Sequence, residues 1–164
     1  MIERIFNSEF MTVGSGIQPF NAWLLLRGLR TLPSRLEKIT VTTTRVIQFL
    51  KQHAKVEQVL FPFDPSFPQY DLAKKQMEGA CGLFSFIVKA QTVYQIEKFS
   101  ESLRHILMAV SWGGHESLII PGCAATPQNK FDAGNIDHRM VRIYVGLEDA
   151  DYIIEDLAQA LDHL

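Results

Sequence analysis

The chain has 164 residues, of which 47% are hydrophobic and 21% charged, and its formal net charge is -2. This length and composition are typical of one globular domain with a hydrophobic core. A sequence pI of about 6.2 offers no basic excess for a phosphate backbone, so nucleic acid is excluded as an expected partner. The longest uncharged apolar run, residues 17–26, is too short to cross a bilayer, so we expect a cytoplasmic protein without a membrane partner.

The first 53 residues contain three predicted helices. Apolar residues recur at helical spacing from Met1 to Met11, and a glycine-containing turn follows. A second helix is expected from Ile17 to Leu32, with apolar residues around most of its circumference, which indicates burial against a partner. Pro33 is predicted to end this helix, and Leu36–His53 is predicted to form a long amphipathic helix.

Strands and helices alternate in the rest of the chain. The strand pattern is clearest at Leu83–Val88, where Phe84 and Phe86 share one face. The other predicted elements are strands at Val56–Phe61, Ile106–Val110, Leu118–Ile120 and 140–145, helices at about Gln69–Glu78 and from Thr92 to Leu103, a loop at 121–138, and a last helix capped by Asp149 or Asp151. These elements predict an α+β fold, with one mainly antiparallel sheet covered by helices and preceded by N-terminal helices.

Arg142 is the residue in this pattern that most needs an explanation. In RMVRIYVGLED, residues 139–149, it alternates with the β-branched residues of a predicted strand. Such an arginine either faces water on the open side of an antiparallel sheet or binds a carboxylate, and the pattern alone leaves both interpretations open. The five histidines lack metal-ligand spacing, and two cysteines are too few for a disulfide framework, so we expect no metal site.

Four segments, taken in order, resemble one enzyme family. They are GIQPFNAWLLLRGLRTLPSRL (16–36), GLFSFIVK (82–89), AVSWGGHESLIIP (109–121) and MVRIYVGLEDADYIIEDLAQAL (140–161). Together they resemble the C-terminal part of the Cys/Met-metabolism family of pyridoxal-phosphate (PLP) enzymes. The resemblance implies the aspartate-aminotransferase type of fold, in which residues 1–34 lead from a large domain and residues 35–164 form the C-terminal small domain.

The family's cofactor lysine lies upstream in a Ser-x-Thr-Lys motif, and no lysine of this chain has such surroundings. We therefore expect a piece of a longer protein. The resemblance implies PLP in the full-length parent and none bound to this chain alone, with no catalytic residue here. It also implies a small amino acid as substrate and a homo-oligomeric assembly.

The resemblance assigns three residues to the substrate. Arg142 matches the arginine that binds the substrate α-carboxylate, and Ser111 and Trp112 match the stretch that lines the pocket. The resemblance is to carbon-sulfur lyases, and Trp112 favours cystathionine β-lyase, which converts cystathionine to homocysteine, pyruvate and ammonia. A cystathionine γ-synthase, cystathionine γ-lyase or methionine γ-lyase is the alternative. A further alternative is that the chain is a short, non-catalytic binding or assembly module.

Overall fold

The computed structural model describes residues 1–10 and 16–164. The end of the first predicted helix and most of the turn after it lie outside these residues. The chain divides into two compact units, Met1–Arg35 and Leu36–Leu164.

The first unit is helical. It contains α1 (Ile2–Arg4), a π-helix (Ile5–Phe10), α2 (Pro19–Arg30) and the start of α3 (Leu32–Gln52). Pro19 lies in the first turn of α2, where its missing N–H leaves no hydrogen bond unmade. None of the residues of α2 is buried, although most of them are apolar.

The break between α2 and α3 differs from the prediction. Pro33 was expected to lie between two helices, and Leu36 to begin the second of them. Instead α3 begins at Leu32 and takes Pro33 into its first turn, where proline is accepted. Only Thr31 separates the two helices, and its N–H donates to the carbonyl oxygens of Gly28 and Leu29.

The second unit is built on a five-stranded sheet with the strand order β1-β2-β5-β4-β3. The β1–β2, β2–β5 and β5–β4 pairs are antiparallel, whereas β3 and β4 run parallel. The register of β1 shifts between Val56 and Gln58. The strands are β1 (Val56–Leu60), β2 (Leu83–Val88), β3 (Leu107–Met108), β4 (Leu118–Pro121) and β5 (Met140–Tyr144).

Four further helices complete this unit, together with a short 3-10 turn at Gln128–Lys130. Thr92 caps its helix through a capping box, in which Thr92 and Gln95 exchange side-chain to backbone hydrogen bonds. Of the two candidate caps for the last helix, Asp149 is the one used. The helices are α4 (Tyr70–Gln76), α5 (Val93–Ser102), α6 (Ile136–Arg139) and α7 (Ala150–Leu161).

The main core lies on one face of the sheet, which α5 and α7 cover. Phe86 and Phe99 are both fully buried there and meet edge to face with ring centroids 6.3 Å apart. A smaller apolar cluster contains Ile39, Leu118 and Tyr144. The α+β prediction, with a mainly antiparallel sheet covered by helices, is confirmed.

Two local predictions were wrong in extent. The strand expected at Ile106–Val110 is reduced to Leu107–Met108. The loop expected at 121–138 contains the 3-10 turn and α6, whose N-cap is Asn135. Within residues 1–10 and 16–164, no helix is both long and apolar enough to span a membrane, and no three His, Cys, Asp or Glu side chains group as metal ligands.

Candidate functional site

Strand β5 has two chemically different faces. Val141 and Ile143 point into the main core and are fully buried. Arg142 and Tyr144 alternate with them and therefore point to the opposite face of the sheet. Arg142 pairs in register with Ser85 of β2 and Ile120 of β4, so it lies in the middle of the sheet.

A glycine-containing segment passes over this second face of the sheet. Residues 109–117 join the parallel strands β3 and β4, and we call this segment the crossover loop. Gly113 has a φ of 88°, a conformation that glycine adopts readily and most L-residues avoid. Gly113 therefore forms a turn that allows the loop to return toward β4.

Arg142 contacts the crossover loop at two points. Its Nη2 atom donates a hydrogen bond to the carbonyl oxygen of Val110. Its Cζ atom lies 5.7 Å from the centroid of the Trp112 ring, within the range of a cation–π contact. Ser111 lies between these two points, and both Ser111 and Trp112 are exposed. The structure therefore brings together the three positions to which the sequence assigned a substrate role.

A cleft of about 430 Å³ lies beside Arg142 and is lined on the same face of the sheet by Ile120 and Met140. Asp137 also borders it. A guanidinium carries five N–H donors in a planar fork, so the bond to Val110 leaves capacity for a carboxylate. A larger cavity lies elsewhere, beside α3: it measures about 660 Å³ and is lined by Lys51 and Asp64, whose Nζ–Oδ2 distance is 2.7 Å.

The second half of the crossover loop is held by residues that follow Arg142. The Tyr144 hydroxyl donates to the carbonyl oxygen of Gly114 at 3.0 Å, and the Leu147 N–H donates to that of His115 at 2.8 Å. Gly146 lies so close to the loop that an added Cβ would be 2.3 Å from the His115 carbonyl oxygen. The loop is therefore bound along its length by β5 and by the residues that directly follow this strand.

The loop ends in a compact hydrogen-bond network. Glu148 accepts from the Ser117 N–H through Oε1 at 2.6 Å and from the Ser117 hydroxyl through Oε2 at 2.9 Å. The Ser117 hydroxyl accepts in turn from the Gly146 N–H at 2.9 Å. Neither Ser117 nor Glu148 was among the residues predicted to have a functional role. No local pattern marks Glu148, because β5 ends at Tyr144 and the partner of Glu148, Ser117, lies 31 residues away in the chain.

Asp156 of α7 anchors the backbone that leads into β3. Its carboxylate accepts from the N–H groups of Arg104, His105 and Ile106, at 2.9, 2.9 and 3.0 Å. Burial would raise the pKa of Asp156, but these backbone N–H groups, with Gln159, hold it below its ordinary value. The backbone that leads into β3 and the crossover loop is therefore bound to α7 by the Asp156 carboxylate.

Comparison with known proteins identifies the family of this chain. Residues 3–162 match the family described as Cys/Met metabolism PLP-dependent enzyme. The chain belongs to this family.

Members of the Cys/Met family with related sequences include two γ-lyases. The L-methionine gamma-lyase of Treponema denticola is 41% identical over 156 residues, covering 92% of this chain and 38% of the relative. The cystathionine gamma-lyase of Macaca fascicularis is 39% identical over 166 residues, covering 97% of this chain and 41% of the relative. The chain thus spans about two fifths of the length of these relatives.

A solved structure from the Cys/Met family supports the fold. The cystathionine gamma synthase from Xanthomonas oryzae pv. oryzae, in complex with aminoacrylate and cysteine, superposes with a TM-score of 0.78 and 32% sequence identity. The match covers 92% of this chain and 40% of that protein. The predicted membership of a PLP-dependent family, and its small-domain fold, are confirmed.

The lysines of this chain do not fit the role of the family's cofactor lysine. A lysine that forms a Schiff base must lose its charge readily, which requires burial or a neighbouring cation. Lys51 instead pairs with the Asp64 carboxylate, and Lys98 pairs with Glu101, which raises the pKa of Lys98. The Lys55 and Lys89 amino groups bind carbonyl oxygens, and the remaining four are exposed: Lys38, Lys74, Lys75 and Lys130. None of the eight lysines, all of which lie within the described residues, is therefore buried in the way that a Schiff-base lysine would be.

Proposed function

We propose that this chain is the C-terminal, substrate-orienting part of a PLP-dependent carbon-sulfur lyase that acts on a thioether amino acid. Residues 35–164 would be its small domain, and residues 1–34 would lead from the large, cofactor-binding domain. The observation that carries the proposal is the contact of Arg142 with both Val110 and Trp112, beside a cleft on the face of the sheet opposite the main core.

Arg142 would bind the α-carboxylate of the substrate. A guanidinium makes two parallel, charge-assisted hydrogen bonds to a carboxylate, which fix orientation as well as charge. The hydrogen bond to Val110 and the ring of Trp112 restrict the Arg142 side chain before any ligand binds. Such preorganisation lowers the entropic cost of binding and of aligning the reacting bond. Ser111 and Trp112, which do not line the cleft itself, would contact the substrate from the crossover loop beside Arg142.

Two reactions are compatible with this role of Arg142. The names of the relatives favour γ-elimination, which from methionine or cystathionine would leave 2-oxobutyrate. Trp112 is the feature that favours β-elimination, which from cystathionine would leave pyruvate. We propose γ-elimination as the main activity of the full-length protein and β-elimination as the second candidate. The ratio of 2-oxobutyrate to pyruvate formed from cystathionine separates them.

The carboxylate site can be tested on this chain without the cofactor. In a ¹⁵N-labelled sample, titration with L-methionine should shift the Arg142 Nε–H resonance, whereas 3-(methylthio)propylamine, which lacks the carboxylate, should not. Arg142→Lys should weaken L-methionine binding by about tenfold, because an ammonium cannot form the two-pronged bond. Arg45→Lys changes an exposed arginine of α3 that pairs with Asp151, and serves as the matched control. Equal binding of the two ligands would contradict the proposal.

We also propose that the assembly is oligomeric and that α2 takes part in it. The side chains of Phe20, Trp23 and Leu25 are more than half exposed. Apolar surface contributes about 25 cal/mol per Å² when it is removed from water. Burial of this helix against the rest of the full-length protein, or against another copy, would therefore be strongly favourable.

A further inference from the structure

We propose that Glu148 is a positioning residue for the substrate pocket, acting through Ser117 to fix the crossover loop that carries Ser111 and Trp112. This inference rests on the proposed role of Arg142 and adds a residue that itself would not touch the substrate. It follows from the hydrogen bonds at the end of the loop.

Glu148 holds Ser117 by both of its carboxylate oxygens. One oxygen takes the backbone N–H and the other takes the side-chain hydroxyl, at 2.6 and 2.9 Å. Ser117 is only 1% exposed, so water cannot replace these bonds at low cost. Hydrogen bonds to an ionised acceptor are also stronger than bonds between neutral groups. Ser117 is therefore fixed in position and orientation.

Glu148 is the last of four residues at alternate positions, all of which meet the crossover loop. Arg142 contacts Val110 and Trp112, Tyr144 contacts Gly114, and Gly146 contacts Ser117. The loop is thus held at its start by Arg142 and at its end by Glu148. If the end is released, the position of Trp112 relative to the Arg142 guanidinium is no longer set by the strand.

The network requires a carboxylate rather than an amide at position 148. The Ser117 hydroxyl accepts from the Gly146 N–H and donates its own proton to Glu148, while the Ser117 N–H needs a second acceptor. A glutamine has one acceptor oxygen and a donor NH₂ group, so it cannot satisfy both Ser117 donors with the same geometry. Glu148→Gln therefore removes one bond with little change in size.

The test compares Glu148→Gln with Glu155→Gln, which makes the same change at an exposed carboxylate of α7. Amide hydrogen exchange at Leu147, whose N–H donates to the His115 carbonyl oxygen of the crossover loop, should accelerate at least about fivefold in Glu148→Gln, as expected for the loss of one hydrogen bond. Exchange in the main core strands should stay unchanged. The Kd for L-methionine should rise about fivefold, and Glu155→Gln should match the wild type in both measurements. Ser117→Ala provides a second variant and should act in the same direction.

The outcomes separate this inference from the proposed function. Unchanged loop exchange in both Glu148→Gln and Ser117→Ala would overturn the positioning role, whatever the ligand does. Faster exchange with an unchanged Kd would also overturn it, because the loop would then have no bearing on the pocket. Failure of the wild type to bind L-methionine would overturn the proposed function itself, and the inference with it. Faster exchange and a raised Kd together would support both.

Discussion

The guanidinium of Arg142 lies 5.7 Å from the ring centroid of Trp112, on the face of the sheet opposite the main core. A cation–π contact at an exposed site contributes about 0.5–1 kcal/mol. We therefore expect Trp112→Leu to weaken L-methionine binding by about two- to fivefold, since Arg142 would lose one of its two restraints. Titration of the labelled chain measures this, and Trp112→Phe, which keeps a ring, should retain most of the affinity.

Gly146 is required by the close approach of the crossover loop. In Gly146→Ala the new methyl group would lie 2.3 Å from the His115 carbonyl oxygen and 2.6 Å from the Glu116 carbonyl carbon, so backbone atoms must move. We expect a loss of about 1–3 kcal/mol in the free energy of unfolding, measured with urea, together with shifts of the Trp112 resonances. Gly79→Ala is the control, because no atom lies within 4 Å of its added Cβ. Equal stability of the two variants would contradict the close packing.

Asp156→Asn should destabilise the second unit. The amide has one acceptor oxygen where the carboxylate serves three backbone N–H groups, and its NH₂ group would face some of those donors. We expect a loss of about 3 kcal/mol in urea unfolding. Asp162→Asn, at an exposed carboxylate that follows the same helix, should change the free energy by less than about 0.5 kcal/mol.

Asp64 should make stability depend on acid pH. Burial would raise the pKa of Asp64, but hydrogen bonds from Lys51 and Ser66 lower it to about 2. Because the folded pKa lies below the ordinary carboxyl pKa of about 4, the contribution of Asp64 to stability is present above about pH 4. It is lost as the pH falls from about 4 through 2.

The pH dependence of Asp64→Asn provides the measurement. Between about pH 5 and pH 2.5 its free energy of unfolding should fall by roughly 2 kcal/mol less than that of the wild type. Glu37→Gln, which removes an exposed carboxylate of α3, should follow the wild-type curve. Parallel curves for all three proteins would show that the Lys51–Asp64 pair does not hold the carboxylate in its charged form.

The apolar surface of α2 should drive self-association of this chain. We expect sedimentation velocity to show concentration-dependent association, because the exposed side chains of Leu25 and Leu29 favour burial. The double substitution Leu25→Gln and Leu29→Gln should shift the chain toward the monomer. Val41→Gln and Tyr94→Gln together change two exposed residues outside α2 and form the control. A wild-type monomer at high concentration would contradict the role of α2.

Elements that are determined by residues close together in the sequence were predicted well. Strand β2 has the predicted bounds, since Phe84, Phe86 and Val88 lie at alternate positions and are all buried in the main core. The start of a helix at Thr92 was predicted because an N-cap depends on residues close in sequence, whereas the capping box with Gln95 was not predicted. The pattern of β5 likewise separated Arg142 from the residues of the core.

Features that depend on residues distant in the chain were predicted less well. The strand at β3 is short because Asp156, more than 45 residues away, binds the backbone before it, while Arg142 binds the carbonyl of Val110 after it. The contacts of Glu148 with Ser117 join residues 31 apart in the chain. No local pattern predicts such pairs. The resemblance to the family assigned Arg142, Ser111 and Trp112 to one pocket. The contacts of Glu148 and Asp156 with the backbone around the crossover loop are visible only in the folded chain.

The two outer strands of the sheet differ from the inner ones in a way that bears on handling the protein. At one side β3 has only two residues, and at the other β1 has an irregular register at Val56 and Gln58. Short or irregular edge strands are a poor template for pairing with strands of another molecule. Precipitation of this chain, where it occurs, should therefore start from helical apolar surface rather than from growth of the sheet, and should not produce amyloid-like fibrils.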